Sequence, residues 1–243
     1  MNETDNFQFA QIRNFHYEEY FQKFQSNGKK ISDAEREEFI KGNDKDISVY
    51  IEGLPSLKEY INSLNGKDDE FHKAYRTILS VIQFVVITSI DCLVISKYFL
   101  LADTDYDKRF MRGKMKVILN EGFKKLYGFE KKTIKNSEWS KLSEIVERLP
   151  MTFQFEYRKL TYLLDNHSKS SSWWKDERNV ETHLDTEKLY ESRCEEIEES
   201  KVMMDSVKLF STLYAVQLFL TNVHAHFYNI SLQNYKNQET RNA

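Results

Sequence analysis

Three polar side chains late in the chain carry the most coherent chemistry in the sequence: Arg178, Asn179 and His183, in the string RNVETH. A guanidinium, an amide and an imidazole suit a phosphate ester. Arginine binds the phosphate and the charge that develops on it, while an imidazole titrating near neutrality moves a proton. The acidic pair Asp176-Glu177 marks a helix entry, so the string sits just inside a helix N-terminus. Unpaired backbone N–H groups and the helix dipole favour an anion there. A spacing of four places Asn179 and His183 on one face, whereas Arg178 lies on an adjoining one. Arg178 meets the imidazole in one of two ways: its long side chain reaches across the first turn, or a second subunit supplies the opposite copy. The second gives a composite cleft about a two-fold axis. Trp173 and Trp174, beside Lys175, are candidates for stacking a base and holding its phosphate. Paired tryptophans ahead of a helix also serve to staple it to a bundle.

The elements that must position these groups are helices. Seven Gly and two Pro in 243 residues are very few, and 40% hydrophobic residues argue against disorder over most of the length. Cys92 and Cys194 are far apart and lack metal-ligand spacing, which points to a reducing compartment. A formal net charge of −3 excludes a long basic track for nucleic acid, so any RNA contact must be local. No basic segment followed by an apolar core opens the chain, so no secretory leader is expected.

Apolar spacings of three to five over residues 9–24 predict a helix, broken by SNGKK. Ser32 or Asp33 then caps a segment reaching Leu64, which the punctuation at Gly42, Gly53 and Pro55 divides into two short helices. From Phe71 to Leu101 the pattern is almost uniformly apolar. Arg76, Asp91 and Lys97 interrupt it, so it reads as the central helix of a bundle rather than a membrane span. Asp91 is then expected to face a polar partner or an interface. An acidic turn at Asp103–Asp107 precedes an amphipathic helix to Tyr127, and GFEKKTIKNSE forms a loop in which Lys131, Lys132 and Lys135 are solvated. Helix resumes at Ser137, is bent or ended by Pro150, and continues to Leu164. After the string, the acidic run Glu191–Glu199 reads as a solvated face. Val202–Ile230 forms a second apolar helix expected to lie against the first, and a polar tail frays beyond it. His224 and His226, two apart on that helix, read as core or interface histidines rather than metal ligands. There is no Gly-rich phosphate loop and no nucleophile elbow.

The Arg-Asn-x-x-x-His string in a helical chain resembles the Arg-x(4–6)-His signature of the HEPN superfamily. The resemblance covers roughly residues 71–230. It implies an all-α helical bundle, set at 66–232; the N-terminal helical extension at 1–65 and the polar tail at 233–243 are not accounted for by it. It also implies a homodimeric, metal-independent endoribonuclease that leaves a cyclic phosphate and needs no cofactor. Arg178 and His183 would be catalytic, with Asn179 in support. The expected setting is the cytoplasm, in a toxin–antitoxin or phage-defence system, with an antitoxin or nucleotidyltransferase as a further partner and no membrane attachment. The rival expectation is a non-catalytic helical module for dimerisation or docking, which the acidic balance favours.

Overall fold

The structure is a computed structural model that describes residues 31–170, 181, 182 and 186–242. Among these residues it contains eight α-helices and no strand, an all-α bundle. The helix expected over residues 9–24 lies outside the described residues.

The first described helix, α1 (Asp33–Ser63), starts at a capping box. The Ser32 hydroxyl accepts the Glu35 N–H at 3.4 Å, and the Ser32 N–H donates to the Glu35 carboxylate at 3.0 Å. It runs unbroken through Gly42, Gly53 and Pro55, where the sequence predicts two short helices. Pro55 and Ile51, four residues before it, are both exposed. The carbonyl deprived of its donor therefore faces water, and burial of Phe39, Tyr50 and Leu57 along one side holds the helix together.

The next helix, α2 (Glu70–Leu101), begins where the Asp69 carboxylate accepts the His72 N–H at 3.1 Å. By length and composition it could cross a membrane, but 61% of its most apolar stretch is buried inside the bundle. Three helices surround it: α1, α3 (Asp105–Leu126) and α8 (Glu199–Asn242). The largest of these contacts is with α8, as the two apolar patterns require. On α3, a Cβ at Gly122 would stand 2.7 Å from the Thr88 methyl, so the missing side chain lets α3 approach α2 closely. Polar contacts fix the register: Tyr50 donates to Gln217 at 2.9 Å, Asn43 to the Leu93 carbonyl at 3.1 Å, and Ser96 meets Ser206.

The expected acidic turn is the first turn of α3, with Thr104 as its cap and Asp105 and Asp107 facing the positive end of the dipole. The lysine-bearing loop contains a single helical turn, α4 (Lys131–Lys135), whose three lysines are exposed. A 3₁₀ turn at Ser140–Leu142 and the short α5 (Ser143–Val146) bury Trp139, Leu142 and Val146. Pro150 then separates them from α6 (Met151–Ser170). A short α7 (Thr186–Cys194) packs on α3. The α8 helix continues to Asn242, past the point where the polar tail was expected to fray.

The acidic run is not uniformly solvated. Glu191, Glu195, Glu196 and Glu198 are exposed, but Glu199 is buried at the start of α8. Its carboxylate pairs with Lys108 of α3 at 2.6 Å and Arg36 of α1 at 3.3 Å, and accepts the Ile31 N–H at 3.3 Å. Arg36 also donates to the Leu100 carbonyl near the end of α2 at 2.8 Å, so one carboxylate gathers four helix ends. Burial alone pushes the Glu199 carboxyl up, but Lys108, the Ile31 N–H and Arg36 outweigh it and hold the group below the ordinary glutamate value. A depressed folded-state pKa gives stability present above the unfolded value and lost as pH falls through the folded one. Glu199→Gln should therefore destabilise the protein at neutral pH. The difference from the parent should shrink as pH drops below about 4.5, read from urea unfolding at a series of pH values.

Candidate functional site

Arg178, Asn179 and His183, with Trp173, Trp174 and Lys175, lie outside the described residues. The framework on either side of them makes contact with α3.

Glu181 lies inside the string, three residues after Arg178 and two before His183, in helical conformation. Its side chain is 3% exposed. Both carboxylate oxygens accept from Arg193 of α7, each at 2.7 Å, a bidentate pair. The carboxylate occupies the space left by Gly113 of α3, where an added Cβ would stand 2.3 Å from it. Arg193 also donates to the Arg109 carbonyl at 3.3 Å and lies over the Phe110 ring, 5.8 Å from its centroid. Two further arginines of α3 hold the end of α7. Arg112 donates to the Ser192 carbonyl at 2.5 Å, and Arg109 to the Glu195 carbonyl at 2.9 Å. Cations on terminal carbonyls oppose the negative end of the α7 dipole.

On the other side, the end of α6 packs on the last turns of α3. The His167 ring stacks on Phe123 with centroids 4.3 Å apart, and its Nδ1 lies 2.9 Å from the Thr212 hydroxyl. Ser168 donates to the Gly128 carbonyl at 3.1 Å, and Tyr127 to Asp165 at 2.5 Å. Ten residues of helix, about 15 Å of rise, separate Gly113 from Phe123. The anchor at Glu181 is set by α3 and α7, and the anchor at the end of α6 by the end of α3 and by Thr212 of α8.

Glu181 appears in sequence only as an unspecified position of the string, and its partner is twelve residues away. The one sequence-level hint is Gly113, a glycine in the middle of an otherwise strong helix.

Among the described residues, His167, His224 and His226 serve packing, and His72 pairs with Asp69 at the start of α2. His224 lies 2.9 Å from the Tyr75 hydroxyl, to which Tyr60 donates at 3.2 Å. Burial lowers the His224 pKa to about 4. His167 is lowered to about 3, by burial and then by Lys208. His226 is half-buried with its ring 5.3 Å from Phe153, on the rim of a cleft of about 520 Å³ between α2, α5 and α8. Phe71, Leu149 and Phe227 line the cleft, and Lys73, Lys141 and Arg148 stand at its edge. Arg148 pairs with Glu70, and Lys141 with Glu138, each at 2.8 Å. No group of His, Cys, Asp and Glu among the described residues is arranged to hold a metal ion. Cys92 is buried, with its thiol pushed up to about 12, and Cys194 is exposed.

No protein-family model matches the chain, and no curated protein or solved structure shows significant similarity to it. The likeness to the HEPN superfamily therefore rests on the string RNVETH and its helical setting.

Arg193→Met should cost about 3 kcal/mol or more in urea unfolding, because it strands a buried carboxylate. The double variant Glu181→Leu/Arg193→Met should recover most of that loss. A second expectation concerns the buried histidines. Their folded-state pKa values lie below 6.5, so the unfolded chain binds more protons at mildly acid pH. Stability should be level above pH 6.5 and fall between 6.5 and about 4, with a smaller fall in His224→Phe. Thermal denaturation across that range checks it.

Proposed function

We propose that the protein is a metal-independent endoribonuclease of HEPN type, acting on RNA in the cytoplasm in a toxin or phage-defence setting. Arg178 binds the scissile phosphate and the charge that builds on it. The ribose 2′-oxygen attacks phosphorus, the P–O5′ bond breaks, and a 2′,3′-cyclic phosphate and a 5′-hydroxyl result. His183 moves the proton, and Asn179 orients the phosphate. Lys175, Trp173 and Trp174 hold and stack the neighbouring nucleotide.

The observation that carries this reading is the anchoring of Glu181. A buried carboxylate in the middle of the string, gripped by two charge-assisted hydrogen bonds and seated over Gly113, fastens the backbone between Arg178 and His183. Catalytic groups need such support from residues that do not touch substrate. Exposed surface elsewhere favours a second reading, a non-catalytic docking module. Met151, Phe155 and Tyr162 of α6 are 73%, 70% and 69% exposed on one side of the helix.

Purified protein incubated with RNA in EDTA separates the two. Under the nuclease reading, RNA is cut, and Arg178→Ala and His183→Ala each reduce the rate by about 100-fold or more while leaving the helical content unchanged. Full activity in His183→Ala would overturn the mechanism. RNA left intact by the parent, with or without divalent cations, would leave the docking reading.

A further inference from the structure

One stripe of α6 combines rings and cations. Met151, Phe155, Arg158 and Tyr162 recur every three or four residues, so they stand within about 60° of one another around the helix. All four are exposed, as are Lys159 at the edge of the stripe and Lys169 further along it. Among the described residues Arg158 and Lys159 make no ion pair. Asp165, which shares this side of the helix, is half-buried and accepts the Tyr127 hydroxyl at 2.5 Å. The exposed charge on the stripe is therefore all positive, on a chain whose formal net charge is −3. More of it adjoins the carboxyl end of α6. Ser168 donates to the Gly128 carbonyl at 3.1 Å, and α4 starts three residues after Gly128. Its Lys131, Lys132 and Lys135 are exposed and make no ion pair among the described residues.

We propose that this stripe is a short binding platform for single-stranded RNA, separate from the RNVETH string. It rests on the nuclease reading for the choice of RNA as the nucleic acid. Bases stack on Phe155 and Tyr162, while Arg158 and Lys159 hold the phosphates between them. The two rings are about 10.5 Å apart along the axis, about three base steps of a single strand. The lysines of α4 take the backbone onward at the end of α6. Charge and spacing select this occupant. Met151, Phe155 and Tyr162 alone would suit an apolar protein partner, but such a partner would desolvate Arg158 without a counter-charge, which a phosphate backbone supplies. A helix lying on a membrane keeps its cations beside an unbroken apolar face, whereas Arg158 stands between the two rings. A duplex keeps its base faces stacked within itself, so the rings select a single strand.

Fluorescence anisotropy of a labelled 2′-O-methyl oligouridylate with the full chain in EDTA tests it. The blocked 2′-oxygen cannot attack phosphorus, so binding is read apart from cleavage. The parent should bind, more weakly as salt rises. Phe155→Ala and Tyr162→Ala should each weaken binding about tenfold, with unchanged circular dichroism. Replacing Arg158 and Lys159 together by Ala should flatten the logarithmic salt slope by about 1.4. The same strand annealed to an oligoadenylate should bind about tenfold more weakly or worse. A parent that does not bind overturns the proposal, as do Phe155→Ala and Tyr162→Ala proteins that bind like the parent, or a duplex bound as well as the single strand. Flotation with phosphatidylserine vesicles in place of RNA binding would assign the stripe to a membrane surface and overturn it too. With unmodified RNA, the double variant Phe155→Ala/Tyr162→Ala should raise KM and leave kcat unchanged. Cleavage by that variant with the parental KM would count against the platform alone. Unmodified RNA bound through the stripe but never cut would count against the nuclease reading alone.

Discussion

A helix with almost no polar side has to be surrounded, and α2 imposes that condition on the rest of the chain. Its thirty-two residues bury fifteen side chains, from Tyr75 to Leu100. Each large apolar group removed from water contributes on the order of 1.5–3 kcal/mol before the cost of ordering the chain. The arrangement of α1, α3 and α8 follows from covering it. Small residues are placed where these neighbours come closest: Gly122 against Thr88, and Ser96 against Ser206. Among the described residues these three neighbours cover three sides of α2, and on the fourth Ile87, Asp91, Tyr98 and Leu101 are exposed.

Buried carboxylates then decide how the outer parts are held. Glu199 draws together the beginnings of α1 and α8, the first turn of α3 and, through Arg36, the end of α2. Glu181 does the corresponding task for the segment that carries RNVETH, with Arg193 as counter-ion and Gly113 as seat. Neither pair adds much net stability over an apolar substitute, since desolvation offsets most of the Coulombic gain. They specify position. A displaced carboxylate in either place is buried without a partner, so alternative packings of α7 or α8 on α3 are costly.

Much of this organisation can be read from the chain, and the failures share a cause. The long apolar runs at 71–101 and 202–230 announce α2 and α8 and their mutual contact, because hydrophobic density is a local signal. Ser32 as a cap is legible for the same reason. The continuity of α1 through Pro55 is not, because it depends on tertiary packing of Phe39, Tyr50 and Leu57. The acidic run misleads at one position: Glu199 looks like its neighbours until Arg36 and Lys108, distant in sequence, are brought beside it. Glu181 is concealed in the same way. Charge pairs between residues far apart leave no periodicity, whereas the string RNVETH is legible as chemistry without its setting.

Under the proposed nuclease reading, the ribose hydroxyl is the nucleophile and the protein supplies only positioning and proton transfer. The chemical ends of the cut RNA report on this most directly. Mass spectrometry of an oligoribonucleotide cleaved in EDTA should find a 2′,3′-cyclic phosphate on one fragment and a 5′-hydroxyl on the other. Fragments ending in a free 3′-hydroxyl and a 5′-phosphate would contradict it, since water, and not the ribose, would then have attacked phosphorus.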